Sequence, residues 1–263
     1  MINLVRADGY AAARSWGLRI ALALSAVLVV AYLVSSHAMA DGTIEATTNS
    51  AASMASDLIS SSILVSLAAA VVVGQSFDSK AIHDSVLMVK RWQIVIAKIG
   101  AYLVVGSVML APWVIGSMVA FIAGWELRPP LRTTYSAFAA NITGADVSTS
   151  SVLLGFGLLL LGTLNYLAIY SICVLVAFVV RRQVVVVVVG VLVGFFGNFG
   201  AAQLGKVSAL RWLAEASPYH PQHMLRTLDS TGAEIAGTLA TSIGFLVLVG
   251  LVGAVLFRRA DIK

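Results

Sequence analysis

Six long apolar segments, joined by links whose basic residues fall mostly on alternate sides, leave this chain few folds to choose from. The segments are Leu18–Ser35, Leu58–Gly74, Ile99–Ala123, Val152–Val180, Val184–Leu204 and Ala236–Phe257. About 20 apolar residues carry a helix across about 30 Å of hydrocarbon, at about 1.5 Å per residue. The second segment is short and serine-rich (Ser60, Ser61, Ser62, Ser66), and the fourth is long enough to tilt or protrude. With 59% of its 263 residues hydrophobic and 11% charged, the chain has more apolar surface than a soluble domain of this size buries. The expected fold is all-α: one polytopic transmembrane domain of six helices covering residues 1–263.

Twelve of the seventeen Lys and Arg residues lie before or at the very start of the first segment, after the last, and in the second and fourth links. Eight of the twelve acidic residues lie on the opposite side. The positive-inside rule then places both ends of the chain in the cytoplasm. The basic residues flank apolar segments instead of forming a soluble basic face, so they read as topology signals and not as a nucleic-acid footprint. Met1–Gly17 does not read as a cleavable signal peptide, because the apolar run after it is long enough to span and no small-residue cleavage site follows. The lone cysteine, Cys173, excludes a disulfide within the chain.

The links differ in character. Gln75–Lys98 reads as a cytoplasmic helix, with Phe77, Ile82, Val86 and Val89 interleaved by Lys80, Asp84, Lys90 and Arg91. On the outer side Ser36–Asp57 is polar, and Gly124–Ser151, with Arg128-Pro129-Pro130, is expected to be irregular. Gly205–Ile235 reads as a short interfacial or re-entrant helix pair.

Several motifs invite chemistry. Gly200 to Val207 approaches a phosphate-binding loop, but Val207 stands where a magnesium-binding Ser or Thr is required and no strand precedes it. His220 and His223 offer two imidazoles, yet Pro221 lies between them and no third ligand is near, so a polar turn is expected and no metal site. His83-Asp84 reads as part of a solvated helix. Gly190 and Gly194, extended by Gly197 and Gly200, form a small-residue pattern for close helix contact, either between two copies or within one chain. Asn165, Tyr166, Tyr170 and Asn198 are polar groups inside the bilayer that either line a pathway or bind helices together. No Asp, Glu, Lys or Arg is expected in mid-span, which argues against a proton-driven antiporter. HExxH and GxSxG motifs are lacking, so no catalytic residue is assigned and an enzyme is not expected.

The layout resembles the permease subunits of type-2 ABC exporters, in particular the small six-span subunits of bacitracin, lantibiotic-immunity and multidrug exporters. Four features carry the resemblance. Ile2–Trp16, with Arg6, Arg14 and Trp16, is similar to the family's amphipathic elbow helix. Phe77–Lys98 looks like its coupling helix. Ser217-Pro218-Tyr219 is similar to a Ser-Pro-aromatic step between spans five and six, and Phe257-Arg258-Arg259-Ala260-Asp261 to the family's C-terminal ending. The chain departs from the family before the coupling helix, where Gly74–Lys80 replaces the usual Glu followed by Gly-Thr and Asp78 stands in for the acid.

The resemblance implies a bacterial plasma-membrane permease that carries no cofactor of its own, with ATP and Mg held by separate ATPase subunits. Phe77, Asp78, Lys80, Asp84, Lys90 and Arg91 would meet those subunits, with Arg6, Arg14 and Trp16 as a second contact. Further partners would be a second copy or a related permease, and membrane lipids. The cargo would be amphipathic or apolar: a peptide antibiotic, a drug or a lipid. The alternative is a non-transporting immunity or sensor protein that binds a peptide at its outer face.

Overall fold

A computed structural model describes residues 2–44, 56–78, 82, 89–128, 134–141 and 147–259, with 78, 136, 139–141, 198 and 259 described by backbone alone. Most of these residues are helical, with no strand among them. The elements are α1 (Ile2–Arg14), α2 (Trp16–Ala40), α3 (Asp57–Ala69), a π-helical turn (Ala70–Gly74), α4 (Gln75–Asp78), α5 (Arg91–Ile122), α6 (Thr134–Asn141), α7 (Thr149–Tyr170), α8 (Ile172–Val180), α9 (Gln183–Leu204), α10 (Arg211–Glu215), α11 (Pro221–Met224) and α12 (Gly232–Arg259). Six helical runs among them are long and apolar enough to cross a membrane: α2, α3 through Phe77, α5, α7 with α8, α9 and α12.

The spans match the six apolar segments, but their ends do not. The third is the clearest case. Its apolar run starts at Ile99, whereas the helix starts at Arg91, with the Lys90 N–H bonded to Gln93 Oε1 at the first turn. At 32 residues, α5 is about 48 Å long, well beyond the hydrocarbon. Lys98 therefore lies inside a span and not in a link. The outer link Gly124–Ser151 is also corrected, because it contains α6, whose Thr134, Tyr135, Ala137 and Phe138 are buried. Gly205–Ile235 holds a helix pair, α10 and α11, as its sequence suggests.

The second span is the post around which the others pack. Of its most apolar window 78% is buried, against 28% for α2, 24% for α9 and 17% for α12. Its serines do not make it a polar conduit. Ser60 Oγ donates to the Ser56 carbonyl (3.0 Å), Ser61 to Leu58 (3.1 Å), Ser62 to Ile59 (2.7 Å) and Ser66 to Ser62 (2.6 Å). Each hydroxyl is spent on its own helix, and small side chains let neighbours approach. The glycines of α9 use that space. A Cβ on Gly190 would strike the Ser66 side chain, and one on Gly194 would sit 2.8 Å from Ser62 Cβ and 2.9 Å from the Tyr170 hydroxyl. Of the two contacts the glycine pattern allows, this is the one within the chain.

A run of aromatic rings crosses the interior. Tyr32 meets Trp113 edge-on (5.4 Å between centroids), Trp113 stacks on Tyr135 (6.1 Å), and Tyr135, Tyr166 and Tyr170 follow at 5.5 and 6.3 Å. These rings tie α2, α5, α6 and α7 together.

Substituting Gly190→Val forces α9 off the second span and is expected to cost about 1–3 kcal/mol. Gly157→Val, where nothing lies within 4 Å of an added Cβ, serves as control. Thermal unfolding of the detergent-solubilised chain checks this, and equal midpoints for the two variants would refute the packing.

Candidate functional site

At the end of the bundle where α1, α4 and the start of α5 meet, one lysine holds three elements together. Lys98 is 4% exposed. Its Nζ donates to Asp8 Oδ1 of α1 (2.7 Å), to the Val72 carbonyl (3.0 Å) and to Ser76 Oγ. An ammonium has three hydrogens, and all three are placed. The acceptors exist because the second span changes pitch here. In the π turn the Gln75 N–H reaches back five residues to the Ala70 carbonyl. One turn on, the Ser76 hydroxyl donates to the Val72 carbonyl (3.1 Å) and accepts from Lys98. Asp8 is presented by the face of α1 that also carries Val5 and the buried Ala12, with Val5 Cγ2 3.4 Å from where a Cβ on Gly100 would stand.

No ionisable side chain lies in mid-span, but two are buried toward the ends of spans. Lys98 is one case, and Asp57, the first residue of α3, is the other. Asp57 is fully buried, and its Oδ2 accepts from the Tyr135 N–H (2.7 Å) and the Tyr166 hydroxyl (3.1 Å), which fastens α6 and α7 to the second span. A carboxylate bound by donors at a helix N-terminus is a favourable arrangement. Neither charge was legible as buried, because each partner lies far along the chain: Asp8 is 90 residues from Lys98, and Tyr166 is 109 from Asp57. One clue was present. Asp8 is the only acid in the first forty residues and sits out of phase with Arg6, Tyr10 and Arg14 on the helix.

The residues assigned to ATPase contact divide. Phe77 is half-buried in an aromatic cluster with Phe178 (6.3 Å) and Phe257 (6.5 Å), and the Arg181 guanidinium lies 5.3 Å from its ring centre. Arg91 turns inward. Its Nη1 donates to the Arg258 carbonyl (3.0 Å) and more distantly to that of Phe257 (3.4 Å), so it caps the end of α12. Lys90 is exposed at the start of α5, and Arg6, Arg14 and Trp16 are exposed on and beside α1. Lys80 and Asp84 lie outside the described residues, and the side chain of Asp78 does too.

The polar groups of the interior bind helices together. Asn165 accepts from Ser242 Oγ of α12 (3.2 Å) and donates to the Pro218 carbonyl (3.5 Å), while the Tyr170 hydroxyl reaches the Leu58 carbonyl (3.4 Å). Asn198 lies on α9, with its side chain outside the described residues. The fourth span breaks at Ser171, whose N–H bonds the Ala168 carbonyl, and two neighbouring carbonyls accept side-chain hydroxyls: Leu167 from Tyr102 (2.7 Å) and Ile169 from Tyr219 (2.7 Å).

At the opposite end, the glycine-rich stretch 200–207 is the last turn of α9 and a tight turn after it, not a strand–loop–helix. His223 is buried and joins three elements, through Nε2 to the Glu215 carbonyl (2.8 Å) and through Nδ1 to Thr238 Oγ1 of α12 (3.1 Å). Arg226 Nε donates to the same Thr238 oxygen (3.0 Å) and its Nη1 lies 3.5 Å from Glu234. Burial holds the His223 imidazole below its ordinary pKa, with Arg226 and His220 acting the same way and the Glu215 carbonyl opposing them. Comparison of the chain with protein-family models, with curated proteins and with solved structures finds no match.

Removing one partner of a buried pair is expensive, because it strands the other. Lys98→Met is expected to destabilise the chain by about 3 kcal/mol. Adding Asp8→Asn to it should cost less than the sum of the two single changes, by at least about 1 kcal/mol in a double-mutant cycle of chemical unfolding. Additive effects would mean the pair does not fasten α1.

A histidine held below its unfolded pKa favours the fold in its neutral form. That stability is whole above the unfolded value of about 6.5 and drains as pH falls toward the folded value. Proteolytic resistance of the 205–231 segment should therefore decline below about pH 6.5. His223→Gln should flatten the pH dependence, and an unchanged slope would assign it to another group.

Proposed function

We propose that this chain is the membrane-spanning subunit of an ATP-driven exporter in a bacterial plasma membrane. It would work as a pair with a second copy or a related permease, and would be powered by separate ATPase subunits that hold ATP and Mg. The observation that carries this reading is the three-way junction at Lys98. The residues immediately before 79–88 (the Val72–Ser76 turn) and the helix just after them (α5) are joined to α1 by one buried ammonium. A push on the 79–88 segment would therefore pass directly to α1 and to the second span, the most deeply packed in the bundle. The aromatic cluster of Phe77, Phe178 and Phe257 carries the same push to the ends of the fourth and sixth spans. A chain that only anchors in lipid has no need of such a junction.

Two of the assignments from the resemblance change weight. Arg91 is engaged by α12, whereas Lys90 is a basic side chain at this edge left exposed toward a docking subunit. The chain itself carries no chemistry in this reading, and the amide and hydroxyls of Asn165, Tyr166 and Tyr170 hold helices together instead of lining a route. The cargo is amphipathic or apolar.

Affinity purification of the tagged chain from its own membranes should bring down a subunit that hydrolyses ATP, and reconstitution with the chain should stimulate that hydrolysis. Lys90→Glu should at least halve the stimulation while leaving insertion and folding intact. A chain that purifies without any ATP-hydrolysing subunit, under conditions that preserve its own fold, refutes the exporter reading.

A further inference from the structure

Two of the spans leave regular helical pitch, and they do so at the same depth. Ala70, the first residue of the π turn, stands seven residues before Phe77, and Ser171, where the fourth span breaks, stands seven before Phe178. The Phe77 and Phe178 rings meet at 6.3 Å. Both irregularities therefore lie about 10 Å along their helices from one common contact. We propose that they form a single hinge, about which the end segments Gln75–Asp78 and Ile172–Val180 swing together against the longer parts of the same two spans.

One helix holds both irregularities. On α5, Lys98 Nζ donates to the Val72 carbonyl in the π turn (3.0 Å). One turn further along, the Tyr102 hydroxyl donates to the Leu167 carbonyl just before the break (2.7 Å). Residues four apart share a helix face. The continuous helix α5 is thus the axle against which both spans bend.

The backbone at the break has two settings within reach. The Ser171 N–H bonds the Ala168 carbonyl three residues back (3.2 Å), and the Ser171 hydroxyl donates to the same carbonyl (2.7 Å). The Val174 N–H in turn bonds the Ser171 carbonyl (2.9 Å). Regular α-helix would send the Ser171 N–H to the Leu167 carbonyl, where the Tyr102 hydroxyl now sits. The Tyr219 hydroxyl holds the Ile169 carbonyl in the same way (2.7 Å). Two tyrosines therefore keep the span in its broken form, and straightening would exchange one donor for another without stranding a carbonyl in the bilayer.

Firm attachment of the longer parts concentrates the motion at this level. Asp57 fastens the second span to α6 and α7, and Asn165 ties the fourth to α12. At the hinge itself the side chains are small. Ala68, Ala69 and Ala70 are fully buried on the second span. Gly190 of α9 and Gly253 of α12 face Cys173 and Leu175, just past the break, with 3.2 Å left for an added Cβ at each. Small residues let helices lie close without interlocking side chains, which leaves them free to slide.

The hinge belongs to the bundle whatever drives it, so its test uses the full chain alone in lipid nanodiscs and stands apart from the exporter reading. In a Cys173→Ala background, spin labels are placed at the exposed positions Tyr10→Cys and Val180→Cys. They report the distance between α1, which Lys98 ties to α5, and the tip of the swinging segment. The pair Tyr10→Cys and Ser150→Cys is the control for the far end of the fourth span. Ile172–Val180 is nine residues long. A tilt of about 20° therefore moves its tip by about 5 Å. Tyr102→Phe/Tyr219→Phe, which releases the two carbonyls before the break, should shift the Tyr10–Val180 distance by about that much and leave Tyr10–Ser150 unchanged. Ser171→Ala keeps both tyrosines but removes the hydroxyl from the Ala168 carbonyl. It should shift the distance in the same direction, and it decides alone if the double variant does not fold. Tyr170→Phe, whose hydroxyl reaches Leu58 away from the hinge, should match wild type. An unchanged Tyr10–Val180 distance in a folded hinge variant overturns the proposal. So does an equal shift of the Tyr10–Ser150 pair, or in Tyr170→Phe, since either reports general loosening and not a bend at this level.

Discussion

A chain inside a bilayer has no water to fall back on, so every carbonyl that a helix releases must find a donor within the protein. This protein meets that demand at several irregularities with a side chain from another element. The π turn of the second span releases to Lys98, and the break at Ser171 leaves carbonyls to Tyr102 and Tyr219. The end of α12 is closed by Arg91, the end of α1 by Arg19, and α10 by His223. The side chains that look functional in the sequence are in large part those that satisfy backbone elsewhere. Tertiary structure is written into these bonds, because each joins an irregular turn to a second helix.

The second span shows what this arrangement permits. Its serines turn their hydroxyls onto their own carbonyls, so the helix is polar by composition and closely packed in fact. The glycines of α9 then come within contact of it along two turns. Charge is confined to its two ends, Asp57 at one and the Lys98 contact at the other. From Ala68 to Gly74 it is buried Ala, Val and Gly, which breaks any line of hydroxyls across the membrane.

Much of the architecture could be read from the amino acids. The six spans followed from apolar runs, and the helical pair in 205–235 from a periodic stretch between turn residues. The ends of the spans were not readable, because hydropathy stops at the first charged residue and the helix does not. Lys98 looks like the last residue of a link until Asp8 is placed beside it, and nothing local announces a partner 90 residues away. The buried helix Thr134–Asn141 escaped for a related reason. It is too short to span, follows Arg-Pro-Pro, and is held by Asp57 from a different part of the chain. The glycine pattern of α9 was visible, but whether it met a second copy or its own second span depended on the serines opposite. For the same reason Arg91 read as a surface cation until the end of α12 was set against it.

The link between the fourth and fifth spans has a bearing on how the protein is made. Only Arg181 and Arg182 separate α8 from α9, and Arg181 takes a left-handed conformation (φ 58°) to turn the chain back on itself. Two residues reach about 7 Å at full stretch, a small part of the hydrocarbon thickness. The fifth span therefore cannot change its orientation unless the fourth moves with it. The two spans can therefore be placed in the bilayer only as one hairpin, with two arginines at its turn.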